Sequence, residues 1–151
     1  MPSSITRLLV LLSCLSLVAA AQDIVVPPSG SIQAAIVASA SGGRVLVPPG
    51  TYTEQIDFLG KAIQVIGLQG AQQTTINGGG SGPVVSFASG EGTTSVLRGF
   101  TITGGSSTFG AGGIRASLGA TPTILDCVIK QNNGRNGGGV SGNPILRRWR
   151  D

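Results

Sequence analysis

After position 30 the hydrophobic pattern changes once, from a helical period to a period of two. Within 31–40, Ile32, Ala35 and Ile36 share one helical face, Ser29 or Ser31 can cap the start, and Gly42-Gly43 ends the run. Beyond it lie short β-type runs separated by Gly, Asn, Ser and Pro. They cover 44–47, 55–58, 62–66, 74–77, 84–87, 96–103, 113–115, 123–130 and 139–141.

Two blocks recur in the same order. Leu97-Arg98-Gly99-Phe100-Thr101-Ile102-Thr103 lies on Ile124-Leu125-Asp126-Cys127-Val128-Ile129-Lys130 at an offset of 27 residues. Gly110-Ala111-Gly112-Gly113-Ile114 lies on Asn136-Gly137-Gly138-Gly139-Val140 at an offset of 26. A unit of this length with two or three short strands is one coil of a solenoid, because no unit can bury its apolar side without a neighbour. Alternation sends Phe100 and Ile102 inward above Cys127 and Ile129, and turns Thr101, Thr103, Val128 and Lys130 outward. The Gly-rich blocks make corners. An antiparallel sandwich would need strands at shorter, regular spacing joined by tight hairpins, which accounts less well for the repeat. The expectation is an all-β, right-handed parallel β-helix of about three to five coils. A short N-terminal capping helix at 31–40 serves as the lid of the first coil, within a helix domain spanning 22–142.

The ends carry different information. Arg7, the apolar run at 8–18 and Ala19-Ala20-Ala21 read as a secretory signal peptide over 1–21, cut before Gln22. The run is too short for a bilayer span, so no stable membrane insertion is expected. A lipoprotein cleavage box at Leu11-Leu12-Ser13-Cys14 fits less well, because the apolar run continues past Cys14. The mature chain is therefore expected outside the cell or at its surface. At 143–151, Ile145-Leu146-Arg147-Arg148-Trp149-Arg150 falls outside the repeat and reads as a basic irregular tail, with the chain taken as the front end of a longer β-helix.

Charge changes the picture little. The formal net charge of +4 sits mainly in Arg7 and in Arg147, Arg148 and Arg150, so no basic stripe crosses the body and no nucleic-acid partner is expected. Once Cys14 leaves with the signal, Cys127 stands alone and no internal disulfide can form. The chain has no histidine, which removes Ser-His-Asp and Cys-His catalysis and the usual zinc sites. The 25 glycines fit a fold made of turns.

Ile32-Gln33-Ala34-Ala35-Ile36, then the stretch from Gly43 to Glu54 and Ile63-Gln64-Val65-Ile66-Gly67, resembles the opening of the pectin-lyase-like superfamily. That superfamily includes pectate lyases, polygalacturonases and pectin methylesterases. Gly50-Thr51-Tyr52-Thr53-Glu54 is similar to the G-x-Y-x-E of pectin methylesterases. The later blocks, with Cys127-Val128-Ile129, Asn132-Asn133 and Gly138-Gly139-Val140, resemble the repeats of β-helical bacterial surface proteins. The resemblance spans about 31–142 and implies a fold more than an activity. The downstream Q-D-T-L, D-F-I-F-G and L-G-R-P-W motifs of the methylesterases are absent.

Candidate chemistry is thin. Glu54 and Asp57 are three apart, so on an extended strand they point to opposite faces and do not share a substrate. Tyr52 reads as first-coil packing before sugar stacking. Asp126 and Lys130 flank one strand with Arg98 and Arg115 one coil earlier; an Asp with such an Arg could deprotonate a sugar carbon or hold calcium against an acidic polymer, but these residues read first as solvated charge. Cys127 reads as a buried small hydrophobe. Asn77-Gly78-Gly79-Gly80 and Gly137-Gly138-Gly139 lack a following Gly-Lys-Ser/Thr and are corners, not phosphate loops. No catalytic residue, cofactor or metal is assigned. The reading is a secreted β-helix module that binds extracellular polysaccharide, or belongs to a protein degrading it, inactive as it stands. A non-enzymatic surface or adhesin-type repeat protein is the alternative, and the open last coil is a site of self-association.

Overall fold

The computed structural model describes residues 21–150, so the signal-peptide reading falls almost wholly outside the described residues. The chain is an all-β parallel solenoid of about four turns with one short helix at its N-terminal side. The first sheet stacks six strands in the order β1 (Asp23–Val25), β2 (Arg44–Val47), β5 (Gln64–Gly67), β8 (Val96–Arg98), β12 (Thr123–Leu125) and β16 (Ile145–Arg147). The second stacks β3 (Gly50–Thr53), β6 (Thr74–Asn77), β9 (Thr101–Thr103) and β13 (Val128–Ile129). The third stacks β4 (Ile56–Asp57), β7 (Val85–Phe87), β11 (Ile114–Ala116) and β15 (Val140–Ser141). A small fourth pairs β10 (Ser106–Ser107) with β14 (Asn133–Gly134). Every pair between these strands is parallel, as coils climbing one axis require.

The register follows the sequence repeat. Thr101 sits on Val128 and Ile102 on Ile129, while Ile114 sits on Val140. One side of each strand fills the interior. Val45, Val65, Leu97 and Ile124 line the first sheet, Ile76, Ile102 and Ile129 the second, and Ile56, Val85, Phe87 and Ile114 the third. Phe58 and Phe87 meet at 4.3 Å between ring centroids. Phe100 and Cys127 are buried at successive bends, with Val128 N–H donating to Phe100 O at 2.9 Å.

Each long run read at 96–103 and 123–130 breaks into two strands. Gly99 (φ +78°) and Asp126 (φ +51°) occupy equivalent bends, where a left-handed residue turns the chain from the first sheet to the second. At this corner the coils approach closely: a Cβ added to Gly67 would overlap the carbonyl of Gly99.

The reading of 143–151 as an irregular tail is corrected. Ile145, Leu146 and Arg147 pair in parallel with Thr123, Ile124 and Leu125, Arg148 takes the left-handed bend (φ +49°), and Arg150 bridges Val128. Leu146-Arg147-Arg148-Trp149 thus repeats Leu97-Arg98-Gly99-Phe100. It escapes the 26–27 spacing because a shorter loop brings it back after 22 residues. The sequence reading also missed β1, β3, β10 and β14. β1 is tied to β2 by a two-pronged pair, Arg44 Nε to Asp23 Oδ1 at 2.8 Å and Arg44 NH2 to Oδ2 at 2.6 Å. That guanidinium holds the Asp23 carboxyl below its ordinary range.

Helix α1 (Ile32–Ala38) buries Ile32, Ala35 and Ile36 over the first coil. It ends two residues before the expected Ala40, because Ser39 is extended and its N–H and hydroxyl turn back onto Ile36 O. Seven residues are too few to be helical unaided, so tertiary contacts must hold it.

Candidate functional site

The motif residues around Glu54 are fasteners of the lid. Glu54 leaves β3 pointing at the start of α1. Its Oε1 accepts the Ile32 N–H at 2.8 Å, and its Oε2 accepts the Gln33 N–H at 3.0 Å and the Ser31 hydroxyl at 2.7 Å. Ser31 in turn accepts the Ala34 N–H, so the cap is built from two residues of different coils. Gln33 clamps β4 from both sides: Asp57 N–H donates to its Oε1 at 2.7 Å and its Nε2 donates to Asp57 O at 3.2 Å. The far end of the lid is held by Lys61, whose Nζ donates to Ile36 O, Val37 O and Ser39 O at 2.7–2.9 Å. Glu54 and Asp57 are thus not brought together; the Asp57 carboxylate accepts its own turn's Leu59 N–H at 2.7 Å. Tyr52 donates its hydroxyl to Pro48 O at 3.0 Å, and burial, with the Glu54 charge second, raises its pKa.

The other candidates separate onto two faces. Asp126 bridges coils, paired with Arg98 at 3.1 Å and with Arg148 at 2.9 Å, and both arginines are largely exposed. Arg148 was not among the expected partners. Arg115 stands on the third sheet between Ser86 and Ser141, and its Nε is screened from solvent without a hydrogen-bond partner. Cys127 is buried, and burial pushes its thiol up to about 11. Glu91, unremarked in the sequence, is buried and accepts the Gly60 and Ser89 N–H groups at 2.8 and 2.9 Å, which makes it a corner brace. The expected corners hold left-handed glycines at Gly79, Gly80 and Gly137.

Lys130 lies on the surface with the most regular side chains. The second sheet turns two columns outward: Thr51, Thr75, Thr101 and Val128, then Thr53, Asn77 and Thr103, with Lys130 next in the coil below. Residues 68–73 form a turn that walls this face, and Thr101 donates to Ala71 O at 2.7 Å, which leaves its outward side chain covered. Between wall and sheet runs a trough in two adjoining parts of about 480 Å³ each. One is lined by Gln72, Thr75, Thr103 and Lys130, the other by Asp126, Arg148, Trp149 and Arg150. At the lid end, Thr51 and Thr53 border a further groove of about 640 Å³ with Pro28, Pro48, Pro49 and Tyr52. The sheet face from β3 to β13 is about 14 Å long at the usual strand spacing.

Among the described residues no cluster of three or more His, Cys, Asp or Glu side chains is assembled. Also among them, no helix is long and apolar enough to cross a membrane. Fold and surface together define the class: a parallel β-solenoid with a bolted helical lid and a hydroxyl-lined lateral trough. Comparison with family models, curated proteins and solved structures finds no match to this chain.

Proposed function

We propose that this solenoid is exported and binds an extended polysaccharide along the outer face of the β3–β6–β9–β13 sheet. The observation that carries the reading is the outer column Thr53, Asn77 and Thr103, one hydrogen-bonding side chain per coil over three successive coils. Their rung spacing of about 4.8 Å is close to the length of one sugar unit in an extended chain, so one hydroxyl-bearing rung can meet one sugar. Gln72 adds an amide from the wall, and the Trp149 ring at the end of the trough suits stacking on a sugar face. The likeness of Gly50–Glu54 to pectin-lyase-like openings supports a polysaccharide ligand, although in this chain Glu54 serves the lid. Among the described residues no acid–base pair is assembled on the trough, and binding without turnover is the expected activity.

Affinity electrophoresis tests this in gels containing polygalacturonate, a neutral glucan or no polymer. Retardation by a polymer that Thr103→Val together with Gln72→Ala abolishes, at unchanged thermal stability, supports the reading. If no polysaccharide retards the protein, the surface-spacer reading replaces it. Incubation with polygalacturonate, with and without calcium, is expected to release neither double-bond absorbance nor reducing ends.

A further inference from the structure

The outer face of the third sheet carries a polar column of its own. Parallel register sets Asp57 of β4 on Ser86 of β7, Ser86 on Arg115 of β11, and Arg115 on Ser141 of β15. Alternation turns these residues away from the core, which Ile56, Val85, Phe87 and Ile114 fill. Arg115 therefore has a serine on the rung before it and another on the rung after it, and the arrangement is complete within three neighbouring strands. Other cations of the body are engaged: Arg44 with Asp23, Arg98 with Asp126, and Lys61 with the helix carbonyls. The Arg115 guanidinium enters no ion pair among the described residues, and its Nε is screened from water without a hydrogen-bond partner. Ser86 is only 9% exposed, and among the described residues no hydrogen bond engages its hydroxyl. Ser141 Oγ accepts the Ala111 N–H at 3.1 Å, which leaves its own hydrogen to donate. The turn at Gly110 (φ +81°) presses on both neighbours: a Cβ there would lie 3.0 Å from Ser141 Oγ and 3.6 Å from Arg115 Cδ. The Arg115 stem is thereby held, and the fork of its guanidinium is the part left to meet a ligand.

From this column we infer that Ser86, Arg115 and Ser141 form a binding site for a tetrahedral oxyanion, a phosphate or sulfate group that is either free or esterified to a sugar. A planar guanidinium presents parallel N–H groups to two oxygens of an anion. Hydroxyls one rung to either side, about 4.8 Å away, reach oxygens out of that plane. A tetrahedral group has such oxygens and a carboxylate has none. Asp57 stands two rungs from Arg115, about 10 Å away at the usual strand spacing. Its negative charge closes that end of the column to a second anion, so the site fits one isolated oxyanion and rejects a polyanion laid along the axis. This column lies on a different sheet from the trough, and the proposal does not depend on the trough binding sugar.

Calorimetric titration of the protein at fixed ionic strength compares inorganic phosphate, inorganic sulfate and glucose 6-phosphate with acetate and glucuronate. The expected result is saturable binding of the tetrahedral anions at least about tenfold tighter than of either carboxylate. Glucose 6-phosphate binding more tightly than phosphate assigns the site to an esterified sugar; equal or weaker binding assigns it to the free ion. Arg115→Lys keeps the charge but not the fork, and is expected to lose at least about tenfold in affinity. Ser86→Ala is a small change in volume and is expected to lose about fivefold at an unchanged melting temperature. Arg135→Gln, which removes an exposed cation outside the column, should leave binding as it is. Carboxylates that bind as tightly as phosphate, or an Arg135→Gln loss equal to that of Arg115→Lys, would reduce the effect to plain charge attraction and overturn the site. Absence of a saturable response to every tetrahedral anion also overturns it.

Discussion

Replacing Glu54 with alanine tests whether the lid is held by its cap. The change removes one carboxylate that accepts two backbone N–H groups and one hydroxyl. Charge-assisted bonds of this kind contribute about 1.5–3 kcal/mol each, with the lower values fitting partly exposed partners. Loss of a helix cap alone costs about 0.5–2 kcal/mol. Ser31 still serves Ala34 N–H in the variant, so part of the cap survives. The net expectation for Glu54→Ala is about 2–4 kcal/mol of destabilisation, within the 5–15 kcal/mol typical of a domain, so the variant still folds. Glu54→Gln keeps one acceptor oxygen but no charge, and is expected to cost about half as much. Urea unfolding followed by Trp149 fluorescence gives the global loss. Amide exchange gives its location: Ile32 and Gln33 should lose protection before the strands of later coils do. An alanine variant within about 0.5 kcal/mol of the parent, with those two amides still protected, would refute the reasoning.

Three further outcomes follow from the same structure. Lys61→Met frees the Ile36, Val37 and Ser39 carbonyls and is expected to cost about 1–2 kcal/mol. In a double-mutant cycle with Glu54→Ala the two losses should couple, because both release one helix; simple additivity would count against a lid that moves as a unit. Gly67→Ala places a Cβ against the Gly99 carbonyl of the next coil, with an expected loss above about 3 kcal/mol seen as a lower melting temperature; a neutral result would contradict the close approach. Cys127 is raised from 9.0 to about 11 by burial, so the fold holds its proton more tightly than the unfolded chain does. Its contribution is complete at neutral pH and is lost as pH climbs from the unfolded thiol's range toward 11, by about 2–3 kcal/mol. The difference in stability between parent and Cys127→Ala, measured across that window, should shrink accordingly, and a constant difference would refute the assignment.

The solenoid was legible because two blocks recur at nearly constant spacing, and spacing is what parallel stacking imposes. The last rung was hidden for the same reason: its loop is shorter, so Ile145 returns after 22 residues and the period breaks. The resemblance of Leu146-Arg147-Arg148-Trp149 to Leu97-Arg98-Gly99-Phe100 was the signal available, but an arginine stands where the earlier bend has glycine. The bends within 96–103 and 123–130 were missed although Gly99 and Asp126 are residue types that accept left-handed backbone, because one such residue inside an apolar run reads as a bulge, and only the axis geometry makes it a corner. The part played by Glu54 was not legible because its partners lie 21–23 residues back, on a helix whose position over the coil no local pattern encodes. The trough was half legible. Alternation placed Thr101, Thr103, Val128 and Lys130 on one face, but the wall at 68–73 comes from another coil.

The two bolts of the lid both come from residues within 25 positions of the helix groups they grip. Closing so short a loop is entropically cheap compared with bringing together distant parts of the chain. The N-terminal plug can therefore assemble as soon as its first turn of chain exists, before any later coil is made, and then offers a finished template edge for the next. Damage to the plug is then expected to delay every layer stacked after it, which refolding rates of the Glu54→Ala variant would show. Because its fasteners lie in the coil beneath it, the plug is expected to transfer to the raw end of another solenoid only together with that coil.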